Sequence, residues 1–243
     1  MNKNQLTNFI TKYTLGGEIK STKWTSNGDS LSTRFISGDK SVVGNVSLSK
    51  FNHLSPCELG VYNTGQLSSL LSVLGDDVEI KLSQSGDKFI SMEFEDTKRK
   101  TKSKYMLSDL SVIPTPPALK NLPDSFELGI KVDAYFINTF ISGKGALSEA
   151  ETFTILTEND ETKIVIGYAS IASNRVTIPV ETTKYQDIEP ISFNANMFAS
   201  ILNANKDCES ATLEVSSAGL SRIQFAIDNY DSEYFLVSTQ AVN

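Results

Sequence analysis

The sequence predicts an α+β protein made of two similar domains, each with two helices packed on antiparallel sheets. Three observations support this fold class. Four segments carry apolar residues at helical spacing, short alternating runs broken by turn residues lie between them, and the whole arrangement occurs twice along the 243 residues. A chain of this length is sufficient for two domains that each bury a core of their own.

The repeat is visible in the apolar positions of the four helical segments. Leu67 and Leu71 are followed 131 positions later by Phe198 and Leu202. The same offset relates a second set of positions, which had no part in finding the first: Leu6, Phe9 and Ile10 correspond to Ile137, Phe140 and Ile141. Apolar residues at i, i+3 and i+4 lie on one face of a helix, so each half is expected to contain two amphipathic helices.

The first half reads helix, strands, helix, strands. The first helix is predicted over residues 4–13 and ends at Gly16 and Gly17, and the second covers residues 64–74 and ends at Gly75. The alternating runs between and after them predict strands separated by Asn, Gly and Asp turns, at residues 31–36, 42–48, 78–82, 89–94 and 105–107.

A basic run, KRKTKSK at residues 98–104, precedes the last of these strands. It holds five lysines or arginines close to Glu93, Glu95 and Asp96. Two interpretations stay open. The run is either a solvated hairpin tip balanced by those carboxylates or a surface that contacts nucleic acid or an acidic partner.

The segment at residues 113–125, IPTPPALKNLPDS, carries four of the seven prolines and is predicted to be a stiff connector. It divides the chain into a first domain at residues 1–112 and a second at residues 126–243. The second half repeats the order of the first, with helices at residues 134–142 and 196–205 and strands at residues 152–156, 163–169, 175–180, 191–193, 212–215, 223–227 and 233–237.

Composition excludes several functional classes. The 40% hydrophobic and 21% charged content is typical of a globular protein. We expect neither a signal peptide nor a membrane span, because no long apolar run occurs, and the expected location is the cytoplasm, or the host cytoplasm if the protein is viral. A net charge of −7 argues against a protein that holds nucleic acid through its overall field.

No catalytic or metal-binding constellation is found. Cys57 and Cys208 have no CxxC spacing and are expected to be buried thiols, and His53 is expected at the surface. A single histidine also leaves no base for a serine or cysteine nucleophile. We therefore expect a protein that is not an enzyme and that needs no metal or cofactor.

The polar sides of the four helices carry no acid. In 45 residues, at positions 3–13, 64–74, 134–144 and 195–206, there is no Asp or Glu, whereas the chain average predicts about five. The polar residues are Asn, Ser, Thr and Gln with four lysines: Lys3, Lys12, Lys144 and Lys206. Such faces suit weak, sequence-independent contact with phosphates, and chance composition is the alternative.

The chain resembles a sliding clamp, the processivity factor of DNA polymerases. The resemblance lies in the order of elements, the repeat, the connector and the acid-poor helices of an acidic chain. The resemblance covers essentially the whole chain. The length and the stretch VYNTGQLSSLLSVLGDDVEIKLSQSGDKFISMEF resemble the clamp of T4-type bacteriophages, although the long basic run departs from that pattern.

This resemblance implies a ring-forming DNA-clamp fold in which three two-domain subunits encircle duplex DNA. The helices would line the hole, with Lys3, Lys12, Lys144 and Lys206 facing the phosphates. Subunits would pair through the strands that contain Tyr105 and Leu107 in one copy and Val176 and Ile178 in the next. Expected partners are duplex DNA, a DNA polymerase, a clamp loader and further copies of the chain.

The resemblance also implies a pocket that receives a short peptide of those partners. By position, this pocket would use Val42, Leu119, Leu122, Phe235 and Val237; the alternative is that the last two are core strand residues. The alternative function is that of a β-rich phage structural or assembly protein built by duplication. An enzyme whose site forms only in an oligomer would need catalytic groups that the sequence lacks.

Overall fold

A computed structural model describes residues 1–118, 122–123, 125–169 and 174–239. Its helices are α1 (Lys3–Thr14), α2 (Thr64–Ser72), α3 (Ala134–Ala146) and α4 (Ala195–Ala204). Its strands are β1 (Thr22–Ser26), β2 (Ser30–Ile36), β3 (Val42–Ser49), β4 (Cys57–Val61), β5 (Val78–Ser85), β6 (Lys88–Asp96), β7 (Lys102–Met106), β8 (Leu128–Asp133), β9 (Thr152–Glu158), β10 (Glu161–Ile166), β11 (Val176–Val180), β12 (Thr182–Lys184), β13 (Ile191–Asn194), β14 (Ser210–Ser216), β15 (Leu220–Ile227) and β16 (Tyr230–Val237). The predicted α+β class, with two helices and antiparallel strands in each half, is confirmed.

The described residues form two compact units. Unit 1 comprises Met1–Ile36, Gly44–Pro116 and Asp228–Ser232. Unit 2 comprises Ser37–Val43 and the described residues within Pro117–Ile227 and Glu233–Asn243. The units do not follow the chain strictly, and the predicted domain limits at residues 112 and 125 stay a prediction.

Unit 1 packs α1 and α2 against each other and against two antiparallel sheets. One sheet has the order β3-β2-β1-β4 and the other the order β5-β6-β7. An aromatic cluster fills its core: Phe9 and Tyr13 of α1 meet Trp24 of β1 edge to face, with ring centroids 5.6 and 6.3 Å from the indole. The Trp24 indole N–H donates to the Tyr13 hydroxyl, which itself donates to the Thr64 hydroxyl at the start of α2. Burial of this network raises the pKa of Tyr13 far above its ordinary value.

Unit 2 repeats this design. Its helices α3 and α4 contact each other, and its strands form the orders β11-β10-β9-β13 and β12-β8-β14-β15-β16. Phe140 of α3 and Phe198 of α4 lie against Phe153 of β9, with ring centroids 5.2 and 4.9 Å from the Phe153 ring. All three side chains are fully buried, so this aromatic cluster is the centre of the unit 2 core.

The strand orders show that the sequence repeat is also a structural repeat. The order β3-β2-β1-β4 in unit 1 has the same pattern as β11-β10-β9-β13 in unit 2, and β5-β6-β7 corresponds to β14-β15-β16. Each strand of unit 1 and the strand at the same place in the unit 2 order begin about 131 residues apart in the sequence. The strands β8 and β12 are additions at the edge of the second sheet of unit 2.

Helix capping follows the same offset. The Oδ1 atoms of Asn63 and Asn194 accept the backbone N–H groups of Gln66 and Met197, each at 3.0 Å, at the starts of α2 and α4. At the other two helices, the caps are Asn2 for α1 and Asp133 for α3. Both pairs of caps are 131 residues apart, so the side chains that begin the helices repeat together with the apolar faces.

Several strands differ from the sequence prediction: β8 and β12 were not predicted, and no bounds were predicted for β1 and β4. β7 begins at Lys102 rather than Tyr105, because Lys102 and Lys104 alternate outward with Ser103 and Tyr105, which face inward. The Leu128, Ile130 and Val132 side chains of β8 are buried in the alternating pattern of a half-buried strand, but they follow the proline-rich connector so closely that the sequence alone gives no turn to separate them.

We expect Phe198→Ala to lower the free energy of unfolding by about 3–5 kcal/mol, because it empties the centre of the Phe140–Phe153–Phe198 cluster. Urea denaturation measures the loss. Tyr135→Ala is the control: this α3 side chain is 76% exposed, and its removal should change the free energy by less than about 0.5 kcal/mol. Equal losses in the two variants would contradict the assignment of the core.

Candidate functional site

The exposed faces of the four helices are the first candidate site. On α1 they carry Asn4, Thr7, Asn8 and Thr11, spaced so that they share one side of the helix. The exposed polar side chains of the other helices are also amides and hydroxyls: Gln66, Ser69 and Ser72 on α2, Asn138 and Ser142 on α3, and Asn196 and Asn203 on α4. None of the four helices contains Asp or Glu. The surfaces predicted to be acid-free are therefore exposed to solvent in both units.

The four lysines predicted to face DNA occupy different environments. Lys206 is exposed just after α4, and Lys3 is half-buried with its Nζ donating to the Leu74 carbonyl at 2.5 Å. Lys12 is only 5% exposed, and its Nζ lies 5.5 Å from the centre of the Tyr230 ring. Lys144 is 8% exposed and donates to the Ser148 carbonyl at 2.7 Å.

Three of these lysines therefore make contacts within their own unit, Lys3 with the Leu74 carbonyl of unit 1. Lys144 binds carbonyl groups just beyond the end of α3, where a cation also interacts favourably with the helix dipole. Lys12 places its ammonium near an aromatic ring, which is a cation–π arrangement. The assignment of all four lysines to a DNA-facing surface stays a prediction, and among them Lys206 is the most accessible to a ligand.

The described residues of the predicted partner pocket fall within unit 2. Val42 and Phe235 are buried, whereas Leu122 and Val237 are exposed. Leu119 lies outside the described residues. The Val237 N–H donates to the Ser41 carbonyl at 2.9 Å, which places the end of β16 beside the start of β3. The two exposed apolar side chains are the part of this set that a peptide could contact, and the pocket stays a prediction.

Asp39 organises the loop that carries Val42. Its carboxylate accepts the Ser37 hydroxyl at 2.5 Å, the Ser41 N–H at 3.0 Å and the Asn194 Nδ2 at 3.2 Å. Asn194 is also the cap of α4, so a single side chain joins this loop to the start of a helix within unit 2. Partial burial opposes ionisation of the carboxyl, but the hydrogen bonds from the two serines outweigh it and lower the pKa of Asp39.

The strands predicted to join subunits are edge strands in the described part of the chain. β7 lies at the end of the order β5-β6-β7, and β11 at the end of β11-β10-β9-β13. Tyr105 and Ile178 are buried within their own units, and the Tyr105 hydroxyl accepts the Asn63 N–H at 2.9 Å. Leu107 and Val176 are half-buried. The role of all four residues in a subunit contact stays a prediction.

The basic run is balanced by carboxylates of unit 1. Lys104 pairs with Glu93 at 2.9 Å and Lys102 with Glu95 at 3.3 Å across the β6–β7 ladder. Lys98 pairs with Asp77 at 3.0 Å. The side chain of Asp96 accepts the N–H groups of Lys98 and Arg99, which fixes the turn between the strands. These contacts favour the interpretation of the run as a solvated hairpin tip.

The remaining candidates are the two cysteines and the single histidine. Cys208 is buried as expected, Cys57 is only half-buried, and neither forms a disulfide. His53 is exposed and meets the edge of Phe51. Among the described residues no group of three or more His, Cys, Asp and Glu side chains could hold a metal ion, and no helix in that part of the chain is long and apolar enough to cross a membrane.

Two similar units, each with a pair of contacting helices packed on antiparallel sheets, define the clamp fold. The crystal structure of the proliferating cellular nuclear antigen from Entamoeba histolytica is similar, with a TM-score of 0.75 over 98% of this chain and 96% of that chain. Sequence identity is 13%, so this likeness establishes the fold. No family model matches the chain, and no curated protein matches it in sequence.

We expect Lys144→Ala to lower the free energy of unfolding by about 1–2 kcal/mol, because it leaves carbonyl groups beyond α3 without their donor. Lys206→Ala removes an exposed side chain of the same type and should change stability by less than about 0.5 kcal/mol. Thermal and urea unfolding of both variants measure the difference. A Lys144 variant as stable as the Lys206 variant would show that the hydrogen bonds of Lys144 contribute little.

Stability should depend on the ionisation of Asp39. Because folding lowers the pKa of Asp39 below its ordinary value of 3.8, the contribution is complete above that value and is lost as the pH falls through the lowered pKa. Asp39→Asn removes this dependence. The decrease in the free energy of unfolding between neutral pH and about pH 2.5 should therefore be smaller in the variant than in the unmodified protein. Identical pH dependence would contradict the assignment.

Proposed function

We propose that this protein is a DNA sliding clamp: a homotrimeric ring that encircles duplex DNA and tethers a replicative DNA polymerase. The observation that carries the proposal is the acid-free composition of all four helices of a clamp fold in a chain of net charge −7. The role is that of a scaffold rather than an enzyme. Its processivity comes from the topological link, so it requires no tight binding.

The exposed helix faces suit a protein that slides. Amides and hydroxyls such as those of Asn8, Asn138 and Asn203 offer neutral hydrogen bonds to phosphates, directly or through water. These contacts carry no sequence information, and without many fixed cations they form and break easily. Acidic side chains would repel the phosphates of the DNA as the ring slides, which accounts for their exclusion from the helices. Lys206 adds one accessible positive charge after α4.

The structural repeat supports ring closure through β7 and β11. Within unit 2, β16 contacts the start of β3 through the Val237 N–H and the Ser41 carbonyl. The counterparts of these two strands in the repeat are β7 and β11. Both counterparts are edge strands in the described part of the chain, so β7 of one copy can pair with β11 of the next. Such head-to-tail pairing closes a ring, and its main-chain bonds leave Tyr105 and Ile178 in their own cores.

Further parts of the proposal rest on the resemblance seen in the sequence. They are the kinship with clamps of T4-type bacteriophages, the number of three subunits, assembly by a clamp loader, and a partner-peptide pocket at Val42, Leu119, Leu122, Phe235 and Val237. Lys3, Lys12 and Lys144 would contribute to the field of the channel from their partly covered positions. Such a protein works wherever the DNA is replicated, which for a virus of this kind is the host cytoplasm.

The experiment compares acid placed on the helices with acid placed on the strands. Asn138→Glu with Asn203→Glu puts two carboxylates on exposed helix faces, and Asn45→Glu with Gln84→Glu puts two on exposed strand positions. We expect the helix variant to lose at least ~10-fold in the length of DNA synthesised per polymerase binding event, because its carboxylates repel phosphates, while the strand variant retains it. Equal processivity in the two variants would overturn the proposed channel.

The mass of the purified protein in solution tests the ring itself. Light scattering should give three times the chain mass of 26.6 kDa. A concentration-independent monomer would contradict an intrinsic ring. Replacing Met106 of β7 by proline should dissociate the trimer, because proline lacks the N–H and adds bulk at the edge. The corresponding control is Ser85→Pro at the end of β5, the other edge of the same sheet, which should leave the mass unchanged.

A further inference from the structure

An exposed apolar patch lies in unit 1 on the segments around the end of β7. Met106 is 60% exposed and Val112 is 56% exposed, and Ile90 and Leu110 are also exposed. Isolated apolar side chains are common at protein surfaces, but a group of them within one short region marks an interaction site. Neither the DNA-facing helices nor the pocket predicted at Val42 and Val237 uses these residues.

Two residues of the patch, Ile90 and Leu110, line a cavity of about 340 Å³. Phe89, Ile90, Leu107 and Leu110 supply its apolar lining. The volume is near the lower limit for ligand pockets, which extend from about 300 to 1,000 Å³. The cavity therefore suits one or two side chains of a partner protein rather than a large ligand.

Main-chain contacts hold the walls of the cavity in place. The Ser108 N–H donates to the Gly60 carbonyl at 2.9 Å, and the Leu107 N–H donates to the Ile90 carbonyl at the same distance. A side chain at Gly60 would bring its Cβ within 2.3 Å of the Ser108 carbonyl oxygen, so glycine is required for this approach. Because the walls are fixed before binding, little ordering cost opposes insertion of a side chain.

The rim of the cavity is acidic. Glu58, Asp87 and Asp109 line it together with a single cation, Lys88. Lys88 pairs with Asp109 at 2.5 Å and keeps the pKa of that carboxyl well below its ordinary value. Glu58 also pairs with Lys23, at 2.6 Å, yet the carboxylates still outnumber the cations. Charge complementarity at a rim selects the partner and increases the rate of encounter, so this rim favours a basic segment.

We propose that this cavity is a docking site for a segment of a partner protein that inserts one large apolar side chain and carries Lys or Arg beside it. The apolar anchor fills the space between Ile90 and Leu110, and the flanking cations meet the carboxylates of the rim. Leu107 is also one of the residues predicted at the subunit contact, so we assign the anchor to Ile90 of β6 and Leu110, which lie outside β7.

A random-peptide library selected on the intact protein tests this proposal. Counter-selection uses the variant Leu110→Ser with Val112→Ser, which changes two exposed side chains. We expect enriched peptides to share an apolar residue flanked by Lys or Arg. Their affinity for the variant should fall at least ~10-fold, because anchors in a central pocket carry most of the binding energy of an interface. In amide NMR spectra, a selected peptide should shift Ile90, Leu107 and Leu110.

Two further variants keep the test decisive. Val73→Ser removes an apolar side chain that is 63% exposed but lies at the end of α2, and it should retain full binding. Asp87→Lys leaves the apolar lining intact and should weaken the basic peptides several-fold, even if the double variant does not fold.

Three results would overturn the proposal: no enrichment over the counter-selected variant, enrichment of acidic peptides, or a changed mass in solution for Leu110→Ser with Val112→Ser. The last result would assign the patch to a contact between copies of this chain. The first two results do not bear on encirclement of DNA, which the helix and strand acid variants test separately.

Discussion

Each of the four helices is buried on one side only, and the rest of the structure depends on that constraint. The apolar side of α1 closes the core around Trp24 while α2 packs on α1, and the apolar sides of α3 and α4 close the core around Phe153. Burial of these stripes is the main favourable contribution to folding in each unit. The opposite sides carry no part of the core, so their composition is free to serve a ligand. The exclusion of acid from them is therefore informative about function.

The lysine side chains of the helices also follow from this one-sided burial. Lys12 and Lys144 begin on helices whose outer faces are polar, but their long side chains turn back to a ring and to carbonyl groups. Their ammonium groups contact a ring and carbonyl oxygens of the same unit, so they are less available to a ligand than an exposed lysine is. The helix surfaces are left with amides and hydroxyls, which suits mobile contact with phosphates better than a dense set of cations would.

The sheets contribute edges and surfaces of different character. Charged side chains of β6 and β7 form ion pairs across the two strands. The outer face of that sheet is therefore polar, and its charges are paired within the sheet. Beyond the end of β7 the character changes abruptly to exposed apolar side chains around a cavity with an acidic rim. In unit 1 the end of β7 therefore separates an ion-paired surface from an apolar one.

The sequence by itself determined the helices and the duplicated order of elements, because apolar spacing and glycine stops act over a few residues. It also identified the acid-free faces. It missed β8, whose pattern is clear only once Thr212 and Leu213 of β14 lie beside it. Only the tertiary structure decided where Lys12 points, since its ring partner Tyr230 is more than two hundred residues away in the chain. It likewise decided that Phe235 is buried and Val237 exposed. The contact partner of a flexible side chain is set by tertiary packing. Packing brings together segments that are distant in the sequence, and a local sequence pattern does not reveal which ones.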